Sequence, residues 1–247
     1  MANSARRNIT NTKIKLSVNS SDLSIIIPAA GMGHRMKSYG PKALINLYND
    51  TSLIERQLDI LWSVYPKAEI FIVVGFESEK IKKKLVNYPV RFILNPIHET
   101  TNVLYSIGLG IQATISKEVM IVYGDLIFND PVIRNIRGCS KAVIENFGFL
   151  KKTEVGIIEQ NNNITNFSFG LDTKWAQITY LTDKELELFK HISCRKDTSQ
   201  WFGYEALNYV LENGGEIQPF MPKNMKIFEI DMAKDLEKIP KRKLTFG

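Results

Sequence analysis

Residues Ile25 to Leu44 read IIIPAAGMGHRMKSYGPKAL. An apolar run, Leu23 to Ile27, ends abruptly in Pro28. Two alanines and two glycines follow, then a group of basic side chains: His34, Arg35, Lys37 and Lys42. A short apolar run bounded by turn residues is the pattern of a strand buried in a parallel sheet. Gly31 and Gly33 let the backbone approach a ligand and present N–H groups with no Cβ in the way. Arg35 can grip phosphate oxygens with its planar fork, and Lys42 can add a second positive charge. A strand that opens into a small-residue loop backed by basic side chains points to a nucleoside triphosphate site. The plain alternative is a tight strand-to-helix turn with solvated lysines.

Two common phosphate loops are excluded. The dinucleotide fingerprint requires a third glycine where Met36 stands, and the P-loop requires Gly-Lys-Ser/Thr where Gly40 precedes Pro41.

The rest of the composition bounds the protein more broadly. At 247 residues, with 44% hydrophobic and 23% charged, it has the make-up of a soluble globular chain with a sizeable core. The net charge of +6 gathers partly at the ends, with Arg6, Arg7, Lys13 and Lys15 at one and Lys241, Arg242 and Lys243 at the other. No basic motif interleaved with aromatics supports nucleic-acid binding, and small anionic substrates explain the balance more simply. Two cysteines, Cys139 and Cys194, make no disulfide framework, so a reducing cytoplasm is expected. No apolar run approaches the roughly 18 residues of a membrane span. Residues 1–20 are polar and Asn/Ser-rich with no apolar secretory core, and are expected to form a mobile N-terminal arm. Residues 21–247 are expected to form a single domain.

Along the chain, Ile45–Leu47 reads as a short strand. Ser52 is a candidate N-cap for a helix to Val64, with Leu53, Ile54, Leu58, Leu61 and Trp62 on its apolar face. Glu69–Gly75 and Val90–Leu94 read as strands, with a lysine-rich amphipathic helix, Glu77–Leu85, between them. This β-α-β order predicts a parallel sheet with helices on both faces. Ligands collect at the carboxyl ends of such strands, where Gly75 and the segment from Pro28 to Lys42 both fall. Val119–Tyr123 is a further buried strand, ending in Gly124-Asp125. A carboxylate at the end of a central strand is costly without a role, although Asp after Gly is also a common turn residue. Lys151–Ser168 alternates in two arms about Asn161–Asn163 and reads as a hairpin inserted near 151–170. Ile178–Leu181 reads as a strand, and Thr182–Glu185 as a capping-box start to a helix reaching about His191. His98 reads as a surface histidine. Trp201, Phe202, Tyr204 and Glu205 open another helix. These aromatics with an interspersed acid could box a quaternary ammonium, but core packing is the simpler reading. In Phe228 to Asp231 the alternation puts Glu229 and Asp231 on one side of a strand.

PAAGMGHRM followed by PKAL resembles the opening signature of the nucleotidylyltransferases with a GT-A-like fold, which include sugar-1-phosphate enzymes and phosphocholine cytidylyltransferases. The usual form is A-A-G-x-G-S/T-R-L/M, then P-K-x-L. Here His34 stands at the Ser/Thr position, where an imidazole N–H could replace the hydroxyl. Asn95 to Ile107, NPIHETTNVLYSI, is similar to the N-x-x-Y/F-x-x-T/S-N-x-x-Y/S segment of the phosphocholine-type branch. Lys226 to Ile239, KIFEIDMAKDLEKI, is similar to that branch's closing W/Y-x-E-I-D motif.

The resemblance implies an α/β fold, a three-layer α/β/α sandwich with a mixed, mainly parallel sheet. It implies transfer of a nucleoside monophosphate, CMP from CTP being the leading reading, to a small phosphate or phosphonate acceptor. Arg35 and Lys42 are the implied catalytic cations. Ala29, Ala30, Gly31, Met32, Gly33, His34, Arg35, Lys42, Gly75, Asn95, Thr101, Asn102, Ser106 and Asp125 are the implied nucleotide-binding residues. Asn102 and Ser106 stand one helical turn apart; the alternative is that Thr100 or Thr101 caps that helix. Asp125 and Asp231, with Glu229 beside them, are the implied Mg2+ ligands. Lys174, Trp175 and Glu205 are candidates for the acceptor. The adjacent Glu-Lys pair that holds the sugar phosphate in sugar-1-phosphate members is absent here, where the chain reads FGLDTKW. That enzyme type remains the rival within the class, and a catalytically silent nucleotide-binding module the rival outside it. A homo-oligomer is compatible with the sequence.

Overall fold

The computed structural model describes residues 22–31, 40–47, 50–146, 153–230 and 235. The expected N-terminal arm lies outside them. In chain order the elements are β1 (Leu23–Ala29), a 3-10 turn (Lys42–Leu44), α1 (Leu53–Val64), β2 (Glu69–Val74), α2 (Ser78–Lys84) and β3 (Arg91–Leu94). Then come α3 (Val103–Gln112), β4 (Glu118–Val122), β5 (Leu126–Phe128), β6 (Lys141–Glu145), β7 (Val155–Gln160) and β8 (Asn163–Phe169). The last are β9 (Thr173–Thr182), α4 (Asp183–Ser193), α5 (Gly203–Glu212), β10 (Gln218–Phe220) and β11 (Ile227–Glu229).

The main sheet runs β10-β6-β9-β4-β1-β2-β3, with β7 and β8 attached through β9. β1 pairs in parallel with β2 and β4, and β2 with β3. β9 is antiparallel to both β4 and β6, which leaves β6 running with β4. β10 is parallel to β6. On the main path, therefore, β9 alone opposes the rest, and the sheet is mixed and mainly parallel.

The period of two along β1 divides the core. Ile25 and Ile27 join one apolar cluster, with Ile54, Leu58 and Leu61 of α1 and Ile81 of α2. Ile26 joins the other, with Leu104 and Ile107 of α3, Phe189 of α4 and Leu207 of α5. Helices thus cover both faces, giving the three-layer α/β/α sandwich. Among the described residues no helix is long and apolar enough to cross a membrane.

Several local expectations need correction. β1 continues through Pro28, which pairs in register with Val73, because the β4 ladder ends two residues earlier at Ile26↔Ile121. β6 and β10 carry too short an apolar run to stand out in the sequence, yet β6 sits beside β9 within the sheet. β9 begins at Thr173, well before Ile178, so Lys174 and Trp175 are strand residues. No capping box forms at Thr182: its hydroxyl turns to Lys117 O, while Glu185 accepts from Ser140 Oγ and the Glu216 amide. At Ser52 the box is complete. The Ser52 side chain accepts from the Glu55 amide, and the Glu55 carboxylate accepts from the Ser52 amide at 2.9 Å.

α3 packs tightly on β1 because Gly110 has no Cβ; one placed there would lie 2.5 Å from Ile26 Cγ2. Gly110→Ala should overpack this contact and destabilise the fold by about 1–3 kcal/mol. Urea unfolding checks this, and an unchanged midpoint would show that the helix can move away.

Candidate active site

Beyond the carboxyl ends of β1 and β4 lies a cleft of about 790 Å³. Its location follows from the sheet. Strands buried on both faces have no room for charge, so polar groups gather where the strands stop.

At one end of the cleft Ala29, Ala30 and Gly31 leave β1, and a Cβ at Gly31 would meet only open space. Lys42, on the 3-10 turn, places its ammonium 3.3 Å from Asp125 Oδ2. Asp125 stands on the turn after β4, and its carbonyl accepts the Ile230 amide at 2.9 Å. Ile230 is the last described residue before Asp231. Met32, Gly33, His34, Arg35 and Asp231 lie outside the described residues. Among the described residues no group of three or more His, Cys, Asp or Glu side chains could hold a metal. What is present nevertheless suits a hard cation such as Mg2+, which needs only one or two carboxylates when phosphate oxygens complete its shell. Asp125 is one such oxygen donor, lining the cleft at a strand end.

The wall beside this end is built by the segment after β3. Thr101, Asn102 and Ser106 line the cleft, as implied for nucleotide contacts, but each also has structural work. Asn102, not Thr100 or Thr101, is the N-cap of α3, its side chain accepting from the Val103 amide at 2.8 Å. Asn95 is off the cleft surface and 1% exposed. Its amide donates to Thr101 Oγ1 and Ser106 Oγ, at 3.1 and 3.0 Å, so it orients two lining hydroxyls and does not itself face a ligand. Gly75 is also absent from the lining. A Cβ there would lie 2.7 Å from the His98 ring and 2.8 Å from Ala30 O. Its lack of a side chain lets His98 pack against the β1 loop. His98, read as a surface residue, is half-buried and lines the cleft, and its Nδ1 is shielded with no hydrogen-bond partner among the described residues.

The adjoining wall, which meets the Asp125 turn where Glu229 pairs with Leu126, is acidic and aromatic. Lys174, on β9, is bound by Glu154 at 2.7 Å and Glu229 at 3.5 Å. Glu229 also accepts from Gln177 Nε2 at 2.8 Å. Burial alone would lower the Lys174 pKa. The Glu154 hydrogen bond and the charges of Glu229, Glu154 and Glu145 outweigh it and hold the ammonium above its ordinary range. Burial, with Glu154 adding to it, raises the Glu145 carboxyl against the pull of Lys174. Around these groups stand Phe169, Phe202 and Tyr204. Phe169 and Phe202 are 47% and 48% exposed, and both rings contact Tyr204, at 5.3 and 6.1 Å. Phe202 thus lines the cleft with an exposed ring, contrary to the simpler sequence reading, while Tyr204 lines it half-buried and also packs against the core. Trp175 lines the cleft but is largely core, 4% exposed and in T-shaped contact with Tyr123 and Phe167. Glu205 does not line the cleft. Its carboxylate accepts the Phe202 amide at 2.7 Å and caps α5.

Sequence reasoning missed Glu154, Gln177, Phe169 and Tyr123. Glu154 and Lys174 are far apart in sequence and meet only because β7 pairs with β9. Gln177 adopts φ +57° within β9, a strained conformation that sequence does not reveal. Burial, and then the Asp125 charge, pushes the Tyr123 phenol well above its ordinary pKa, so it stays protonated against the Gly203 backbone.

This layered fold with its strand-end cleft is that of the GT-A-like nucleotidylyltransferases. The match extends to sequence: residues 25–144 match the MobA-like NTP transferase domain. The chain is 33% identical over 103 residues to the bifunctional protein GlmU of Solibacter usitatus, covering 42% of this chain and 22% of that protein. To GlmU of Buchnera aphidicola it is 25% identical over 242 residues, covering 90% of this chain and 52% of that one. The chain thus spans about half or less of the length of these curated relatives. Among solved structures, CTP:phosphocholine cytidylyltransferase (LicC) of Streptococcus pneumoniae aligns with a TM-score of 0.73 at 18% identity, over 87% of this chain and 96% of that one. A putative glucose-1-phosphate thymidylyltransferase of Bacillus anthracis also gives 0.73, at 14% identity, over 91% and 96%.

The Lys174 cluster has a pH signature. With its folded pKa raised above 10.5, its stabilisation is fully present below that pH and is lost as pH rises through the folded value. The stability gap between wild type and Lys174→Met should therefore shrink above pH 10.5. Urea titrations across that range test this; a constant gap would mean that Lys174 stabilises through packing alone.

Proposed function

We propose that this chain is a Mg2+-dependent nucleotidylyltransferase that transfers CMP from CTP to a small phosphate or phosphonate acceptor. An acceptor oxygen attacks the α-phosphorus in line. The new P–O bond forms as the bond to the bridging oxygen of the β-phosphate breaks, and pyrophosphate leaves with that electron pair. The observation that carries the reading is the Lys42–Asp125 pair at the meeting point of the β1 loop and the β4 turn. Lys42 and Arg35 bind the triphosphate and offset its developing charge. Asp125 and Asp231, with Glu229 beside them, are the residues that would hold Mg2+, which neutralises and orients phosphate oxygens when bound. The chain supplies position and charge and no covalent nucleophile.

Thr101, Asn102 and Ser106 form the nucleotide wall in this reading, and Lys174 meets the acceptor phosphate. The exposed aromatic faces with Glu154 and Glu229 suit an acceptor whose other end is an ammonium. Two free, exposed cysteines accord with a reducing cytoplasm. One observation favours a second reading, a sugar-1-phosphate acceptor. The Glu-Lys pair that the sequence lacks as neighbours exists in space as Glu154–Lys174, and one structural neighbour is a putative glucose-1-phosphate thymidylyltransferase.

Pyrophosphate release, with each NTP crossed against phosphocholine, 2-aminoethylphosphonate, glycerol phosphate and hexose-1-phosphates, decides between them. CTP with an ammonium-bearing acceptor is expected to turn over. Turnover only with hexose-1-phosphates would support the second reading, and none at all the silent module. With the productive pair, Lys42→Ala and Asp125→Asn should each lower kcat about 10²–10³-fold in a folded protein. Activity within a few-fold of wild type in both would remove the assignment. Phe202→Ala should raise the acceptor KM with little change in the CTP KM, which steady-state kinetics reads directly.

A further inference from the structure

The apolar face of α1 contains one amide. Leu53, Ile54, Leu58 and Leu61 are buried on it, and Gln57 lies among them at 1% exposure. Burying an amide in such a face is unfavourable unless its hydrogen bonds are made. Both Gln57 donors are used, and both go to one place. Nε2 donates to Tyr123 O at 2.9 Å and to Leu126 O at 2.8 Å, the carbonyls on either side of Gly124-Asp125. Gln57 Oε1 is buried and accepts nothing among the described residues. This fixes the amide orientation: turned over, its oxygen would face two carbonyl oxygens.

The Gly124-Asp125 turn is tight from other sides as well. A Cβ at Gly124 would lie 3.0 Å from Pro28 O, so the turn rests against the end of β1. The Tyr123 amide meets Gln177 O at 3.4 Å, and the Ile230 amide meets Asp125 O at 2.9 Å. Those bonds hold the turn toward β9 and β11. Gln57 holds both of its ends toward α1, from beneath the cleft and out of reach of any ligand.

We propose that Gln57 is a positioning residue: its buried amide clamps the turn that presents Asp125 to the cleft. It acts through the backbone on either side of the carboxylate, so its loss should disorder the carboxylate without removing any group that touches substrate. The catalytic consequence rests on the nucleotidyl-transfer reading above; the clamp itself does not.

Two variants of the full chain test it. Gln57→Leu completes the apolar face but strands two carbonyls. Gln57→Glu keeps the shape, and only its protonated form can donate a bond. Amide hydrogen exchange is followed on residues 119–128, with β1 as internal reference. In Gln57→Leu, exchange across the turn should rise about tenfold or more while β1 stays protected. With the productive substrate pair, kcat should fall about tenfold or more with the NTP KM nearly unchanged, since small misplacements of a reacting group are costly. Mn2+ affinity, read by electron paramagnetic resonance without substrate, should weaken in parallel. In Gln57→Glu, turn protection and kcat should both recover as pH falls, an acid-side response that wild type lacks.

If Gln57→Leu does not fold, the pH response of Gln57→Glu carries the decision. Unchanged turn exchange in Gln57→Leu, or a pH-independent Gln57→Glu, overturns the proposal. A wild-type protein that turns over no NTP would defeat the functional reading instead, and exchange would still judge the clamp.

Discussion

The organisation of this protein depends on one backbone turn. Gly124-Asp125 brings a carboxylate to the end of a strand whose body is buried on both faces. Nothing in such a strand can hold a charge in place by itself, because its side chains are committed to the two apolar layers. The position of Asp125 is therefore set from outside the strand. The Ile230 amide holds its carbonyl, Gln57 takes the carbonyls at either side, and Lys42 faces its carboxylate at 3.3 Å. Each contact comes from a different part of the chain, so helix, sheet and the closing strand all bear on the turn.

The aromatic wall of the cleft is coupled to the same turn. Tyr123 stands just before it, with its hydroxyl against the Gly203 backbone at the start of α5. That start carries Phe202 and Tyr204. Gln177 receives the Tyr123 amide on its carbonyl and passes its side-chain amide to Glu229. Its left-handed backbone is unfavourable for a non-glycine residue. The strain sits where β9 must serve both the sheet ladder and the Glu229 carboxylate. The Asp125 turn and the aromatic wall are thus linked through Tyr123 and Gln177.

Much of the layered fold was legible in the sequence, because its central strands are uninterrupted apolar runs. Ile25 to Ile27, Ile70 to Val74 and Val119 to Val122 could be little else. The 3.6-residue stripe of α1 was equally plain, although Gln57, the one polar residue within it, carried a signal that the stripe obscured. What sequence did not yield were elements whose identity comes from partners. β6 is a strand because β9 lies beside it, and β10 because β6 does. The same holds at the site. Asp125 stood out as a charge ending an apolar run, and the cleft is lined by Ala29, Ala30 and Gly31. The link between Glu154 and Lys174 depends on strand register and has no sequence motif. Glu205 and Asn102 show the reverse limit. A carboxylate or amide at a helix start fits capping and ligand binding equally well until the backbone amide it accepts is seen.

His98 and Gly75 extend this argument to the wall that carries Thr101 and Ser106. A glycine at a strand end near a small-residue loop invites a ligand contact as its explanation. Here the space that its missing Cβ frees is filled by His98, from the segment after β3, and the imidazole reaches the cleft because of it. The glycine shapes the site at one remove, by admitting a side chain and not a ligand. Gln57 beneath the Asp125 turn and Asn95 behind Thr101 and Ser106 act in the same indirect way. Buried small and amide residues thus shape the surroundings of His98, Thr101, Ser106 and the Asp125 turn.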